Sequence, residues 1–285
     1  MDFRNRTIRR WVAVLGLGVI LLATACAAPA APAQPTAVPI PQVTVDVSDT
    51  SLTAPAEMPS GIVEVTVKNS GEAPHGPLFA RLNEGATLDQ FMQAFQTDQT
   101  GATALALVTL LGGGQAAPGA SQVVVYDLKP GNHIILDFGA GPPQTAGFVV
   151  KAEGGSAAAA PAADVNAELV DFNFVLPEQI KAGAHTWKIE NKGGQWHEMA
   201  IVKLNEGVTV EDVLAMMSQE QPPESSPPYE DVAFWAPMGA GEKVWATFDL
   251  PAGVYTVLCF LPDFGSTPPV SHAEHGMVRT LTVTE

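Results

Sequence analysis

Two stretches of this chain alternate apolar and polar residues with a period of two. Val63, Val65 and Val67 are spaced by Glu64 and Thr66, and Trp187 and Ile189 flank Lys188 in the same way. That period sends successive side chains to opposite faces, so each stretch predicts a half-buried strand. Further strands are predicted over residues 122–128 with 134–138, and over 243–250 with 254–260. One helical pattern interrupts each set. Thr209 can cap a first turn, with Asp212 three residues on, and Val210, Val213, Leu214 and Met217 then share a face. Thr87, Leu88, Gln90, Phe91, Met92 and Phe95 repeat that design, and their Met and Phe side chains read as core.

The two β-rich segments match one another. Asn69, Gly71, His75, the run 82–85 (LNEG), Asp127-Leu128 and Gly131 recur at Asn191, Gly193, His197, the run 204–207 (LNEG), Asp249-Leu250 and Gly253, always 122 positions later. A constant offset over so long a span indicates an internal duplication. Between and before the copies lie stretches that cannot bury a core: residues 26–41, rich in Pro and Ala, and residues 152–163, rich in Ala and Gly. The expected organisation is therefore a leader over 1–25, a tether over 26–41, a first domain over 42–151, a linker over 152–163 and a second domain over 164–285.

The leader reads as a targeting segment. Arg4, Arg6, Arg9 and Arg10 precede an apolar run from Trp11 to Leu22, shorter than the ~20 residues a membrane span needs. It ends in Ala23-Thr24-Ala25-Cys26, which resembles a bacterial lipoprotein processing site with Cys26 as the lipidated residue. The expectation is an exported protein, anchored on the outer face of the cytoplasmic membrane or in the periplasm. The formal net charge is −16, and removal of the leader takes away four arginines. Such a surface argues against nucleic acid as a partner and suits a basic docking partner.

With Cys26 given to lipid, Cys259 is the only other cysteine and has no partner for a disulfide. A lone thiol is either a small buried hydrophobe or a metal ligand. Its neighbours favour the ligand. His197 follows the turn 191–196 (NKGGQW), Cys259 ends a predicted strand, and a Pro/Gly/Ser-rich loop leads to residues 272–277 (HAEHGM) before the last strand. This order resembles the cupredoxins, the small blue copper proteins, across both copies. The resemblance implies two tandem Greek-key β-sandwiches in an all-β chain, each with one short inserted helix. It also implies one copper held by His197, Cys259 and His272 in a trigonal plane, with Met277 as a weak axial ligand. The interval of 13 positions from Cys259 to His272 is long for the family and leaves His275 as a rival ligand. The five-residue step from His272 to Met277 favours His272. Glu198, directly after His197, stands where a small polar residue is common.

The offset of 122 places Asp137 where the second copy has Cys259, and Phe148 stands where it has Met277. The first copy thus keeps only His75 of four ligands, and a thiolate copper site is not possible there. A hard-ligand site from His75, His133 and Asp137 is an alternative to a purely structural domain. Its apolar run 102–111, followed by three glycines, suggests a covering helix or a contact surface. His185 reads as a strand residue, while Trp196 and Trp245 read as packing around the site.

Three functions compete. The first is a non-enzymatic carrier of single electrons between redox proteins. The second is a Cu(I) chaperone or store, suggested by the His-x-Met triplets at 197–199 and 275–277. The third is a metal-free scaffold or adhesion lipoprotein. Multicopper oxidases and copper nitrite reductases need extra histidines for a second centre, and this chain has only six with no His-x-His pair.

Overall fold

The computed structural model describes residues 38–98, 101–139, 143–217, 226–263 and 265–285; the leader and Cys26 lie outside them. The first half contains β1 (Gln42–Ser48), β2 (Ser51–Thr53), β3 (Glu57–Pro59), β4 (Gly61–Asn69), β5 (Leu78–Leu82), α1 (Leu88–Thr97), α2 (Ala102–Leu105), β6 (Val108–Gly112), β7 (Ser121–Leu128), β8 (Gly131–Asp137) and β9 (Gln144–Lys151). The second half contains β10 (Val165–Val170), β11 (Asn173–Val175), β12 (Gln179–Lys181), β13 (Gly183–Asn191), β14 (His197–Leu204), α3 (Val210–Met217), β15 (Tyr229–Met238), β16 (Lys243–Leu250), β17 (Gly253–Leu258), β18 (Pro262–Asp263), β19 (Val270–Ser271) and β20 (Val278–Thr284). The chain is all-β. The first half departs from the expected single helix by the extra four-residue α2.

The strands form two large sheets packed face to face. One runs β11-β10-β13-β16-β7-β4-β1-β2, and the other β12-β20-β17-β14-β15-β6-β5-β8-β9-β3. Pairing in the halves corresponds: β1 runs parallel to β4 with Val43 opposite Val65, and β10 runs parallel to β13 with Val165 opposite Trp187. The alternating residues turn as the period of two requires, with Val63, Val65, Val67, Trp187 and Ile189 all buried. Thr87 and Gln90 form a reciprocal capping box at α1, and Thr209 and Asp212 exchange the same bonds at α3.

Both sheets continue from one half into the other, through β7–β16 and β6–β15. The apolar run of the first half is therefore no covering helix: it becomes α2 and the joining strand β6. Trp235, fully buried in β15, lies directly over Gly112, where a Cβ would collide with its indole. Gly112 also has a φ of 80°, a conformation side chains disfavour. Beside this contact the buried Glu242 carboxylate receives Arg81 at 3.3 Å and Lys129 at 3.7 Å from the first half. One hydrophobic cluster, including Val65, Tyr126, Trp187, Ile201 and Trp235, runs through both halves.

Candidate metal centre

Asn191 shapes the turn before His197. Its side-chain N–H group donates to the Gln195 and Met238 carbonyls at 2.8 Å each, and its oxygen accepts Gly193 N–H at 2.9 Å. His197 then enters β14 with its side chain buried. Cys259 lies one residue past β17. Its N–H donates to Met277 O at 3.3 Å, its carbonyl accepts Ala273 N–H at 2.9 Å, and Met277 N–H donates to His272 O at 2.9 Å. These bonds knot Cys259, His272 and Met277 together. The long interval between Cys259 and His272 is taken up by the β18–β19 hairpin, in which Pro262 pairs with Ser271. The extra residues project as a hairpin and leave the two side chains adjacent.

The result is a buried group of three. His197 Nδ1 lies 3.0 Å from His272 Nδ1, and Cys259 Sγ lies 3.3 Å from the same nitrogen. Among the described residues, His197, Cys259 and His272 are the one set of three or more His, Cys, Asp or Glu side chains that converges in this way. Met277 is fully buried beside them in sequence and tied to them through its backbone. His275 stands outside the group: it is exposed, stacks on Phe172 with ring centroids 4.6 Å apart, and places Nε2 3.3 Å from Asp263.

The electrostatics prepare these donors for a cation. Burial lowers the pKa of His197, against the pull of Asp171, and burial together with His197 lowers His272 to about 4. Both rings are therefore neutral near pH 7. His197 Nε2 faces the Asp171 carboxylate at 2.6 Å and His272 Nε2 faces the Gln195 amide oxygen at 3.3 Å. The short contact with Asp171 favours the proton on His197 Nε2, which turns the lone pair of its Nδ1 toward His272. Burial pushes the Cys259 thiol up to about 12 against the N–H bond from Glu198, so it needs an incoming positive charge to ionise. Two imidazoles and a soft sulfur fit copper.

Glu198 is itself buried and raised to about 7 by that burial; it accepts Phe260 N–H at 3.0 Å, while its own N–H points at Cys259 Sγ at 3.5 Å. Of the other sequence candidates, His185 bonds the Lys181 carbonyl, Trp196 packs on the first half's second apolar cluster, and Trp245 is buried in β16.

In the first half the corresponding place is filled by charge. His75 Nδ1 lies 2.6 Å from Asp137, and His75 Nε2 lies 3.1 Å from Asp49. Burial alone would depress this imidazole, but its bonds to Asp137 and Asp49 carry it above its ordinary value. His133 does not join them; it stacks on Phe148 and bonds the Gly131 carbonyl. The hard-ligand alternative does not assemble among the described residues.

Sequence reasoning missed Asp171, Gln195 and Asp263. A signal for the first was present, since Asp49 and Asp171 are themselves 122 positions apart. Without a chemical role for a carboxylate in a short turn, that match had no meaning.

No protein-family model matches the chain, and no curated protein matches it. Among solved structures it is similar to dithionite-reduced auracyanin from Roseiflexus castenholzii, at 22% identity and a TM-score of 0.31, covering 42% of this chain and 95% of that one. It is similar to auracyanin A, a "blue" copper protein from Chloroflexus aurantiacus, at 21% identity and a TM-score of 0.30, covering 42% and 96%. A multicopper oxidase is similar at 15% identity and a TM-score of 0.24, covering 85% and 88%. What the site can hold follows from its donors rather than from these likenesses. The all-β sandwich architecture places in the second half one buried His–Cys–His group that could hold a copper ion.

Proposed function

We propose that this chain is an exported, lipid-anchored carrier of single electrons, in which His197, Cys259, His272 and Met277 would hold one copper ion. The observation that carries the reading is the convergence of two imidazole nitrogens and a thiol in a buried site. Bound copper supplies a one-electron couple between Cu(II) and Cu(I). The protein's part is to keep the donors still. Backbone bonds fix Cys259 and His272, Asp171 and Gln195 fix the rings, and burial excludes water from the sulfur. Rigid donors of this kind keep rearrangement small when an electron arrives or leaves.

Met199 speaks against the chaperone alternative. It is fully buried in the main apolar cluster, so the triplet 197–199 offers no exposed thioether for passing Cu(I) onward. The non-enzymatic reading rests on the absence of any His-x-His pair among the six histidines. Anchoring rests on Cys26 and the apolar leader, which lie outside the described residues; among those described, no helix is long and apolar enough to cross a membrane. The net charge of −16 favours a basic redox protein as partner.

The test is a redox titration of copper-loaded protein followed by visible and electron-spin spectroscopy. Reversible loss and return of an intense thiolate colour over one electron per chain supports the carrier. Colourless Cu(I) binding without a stable Cu(II) form contradicts it. Cys26→Ser should release the protein from membranes, and persistent membrane binding contradicts the anchor.

A further inference from the structure

The outer nitrogens of the two imidazoles are held differently. His197 Nε2 faces a carboxylate, Asp171, at 2.6 Å, whereas His272 Nε2 faces an amide, Gln195, at 3.3 Å. Asp171 also accepts Gly194 N–H at 2.8 Å and Gln195 N–H at 3.3 Å. One carboxylate therefore fixes His197 directly and holds the residue whose side chain reaches His272. Gly193 makes this approach possible, because a Cβ there would collide with both Asp171 and His197. Gln195 is turned by a second bond, from its side chain to Asp263, which leaves its oxygen for His272.

The first half supplies a built-in comparison. Asp49 accepts Glu72 N–H at 2.9 Å and Ala73 N–H at 3.1 Å, and meets His75 Nε2 at 3.1 Å. The same outer arrangement exists there with Asp137, and no thiol, on the inner nitrogen.

We propose that Asp171 is a positioning residue of the copper centre: it fixes the tautomer and direction of His197, and its charge favours Cu(II) over Cu(I). The inference rests on the copper reading of His197, Cys259 and His272. A carboxylate on the far nitrogen of a ligating histidine settles which nitrogen bears the proton and makes the ligand more basic. A more basic ligand beside a fixed negative charge stabilises the more highly charged ion. The centre is thereby a weaker oxidant than the same donors would make without Asp171.

The experiment compares the full chain with its Asp171→Asn, Asp171→Glu and Asp49→Asn variants. Cu(II) and Cu(I) affinities are measured against competing chelators, together with the visible spectrum and reduction potential. Asp171→Asn should keep one copper, lose about ten- to hundredfold in Cu(II) affinity, lose less for Cu(I), and rise in potential. Asp171→Glu should recover part of the change, and Asp49→Asn should leave every copper property unchanged. An Asp171→Asn variant that is only less heat-stable, with wild-type spectrum, affinities and potential, overturns the proposal. Wild-type protein that takes up no coloured copper instead overturns the copper reading beneath it. Nitrogen NMR of copper-free wild-type protein tests the inference even if Asp171→Asn does not fold: His197 should be protonated at Nε2, and protonation at Nδ1 contradicts it.

Discussion

His197 and His272 face each other across 3.0 Å through their Nδ1 atoms, while the far-side Nε2 atoms face the acceptor oxygens of Asp171 and Gln195. A cation placed between them could accept a lone pair from each ring. With Cys259 Sγ 3.3 Å from His272 Nδ1, the arrangement is a donor set prepared in advance.

Ligand substitutions should sort by this geometry. Cys259→Ala, His197→Ala and His272→Ala are expected to lose the coloured site. Met277→Leu should keep copper with an altered spectrum and potential, since an axial thioether is a weak ligand. His275→Ala should leave the spectrum close to wild type, because this ring stacks on Phe172 outside the donor group. A spectrum that survives His272→Ala but not His275→Ala would reverse the assignment.

Copper uptake should release a proton. The Cys259 thiol is raised to about 12 by burial, while His272, at about 4, is already neutral above pH 5. Between about pH 7 and 9 the bound state lacks one proton that the free state holds, so Cu(II) affinity should rise about tenfold per pH unit. Chelator competition at several pH values reads this slope, and a flat profile would contradict a thiolate ligand.

The first half should depend on its buried charges for stability rather than for metal. Asp137→Asn leaves His75 without its nearer carboxylate and should cost about 3–5 kcal/mol near pH 6, with the copper spectrum unchanged. The His75 imidazole is raised by Asp137 and Asp49 against burial, so its charged-state contribution is complete below its ordinary value of 6.5. That contribution is lost as pH rises through the raised value. The stability gap between wild type and variant should therefore narrow by pH 9. Denaturant melts at the two pH values check this, and an equal or wider gap at pH 9 would be the opposite result.

The junction between halves should be intolerant of bulk. Gly112→Ala adds a methyl group against the Trp235 indole at a φ of 80°. Overpacking of a filled core costs about 1–3 kcal/mol, and the backbone conformation adds to it. Melting temperature reads the effect, and an unchanged value would mean that β15 can shift away from β6.

Much of this architecture is legible in residue spacing. Val63, Val65 and Val67 declare their strand because the period of two leaves no other way to bury them together. Thr87 with Gln90, and Thr209 with Asp212, declare their helix starts by local bonds alone. His197, Cys259 and His272 could be nominated because their order before the last strand resembles that of the cupredoxins. The union of the halves was not legible: β6 carries an apolar run that fits a helix or a strand equally, and only its partner β15 decides. The Cys259-to-His272 hairpin was hidden for a related reason, since Pro, Gly and Ser mark a loop without saying how it folds. Asp171 was hidden because a carboxylate beside a turn looks like any solvated acid until the ring it touches is in place.

The most direct measurement is copper stoichiometry on the full chain, with colour, beside its Cys259→Ala variant. The two halves share both sheets and one core, so the intact chain is the right object. Wild-type protein should bind one copper with an intense thiolate absorption, and Cys259→Ala should lose that absorption. Two strongly coloured coppers per chain, or colour that persists without Cys259, would contradict a single centre built from His197, Cys259 and His272.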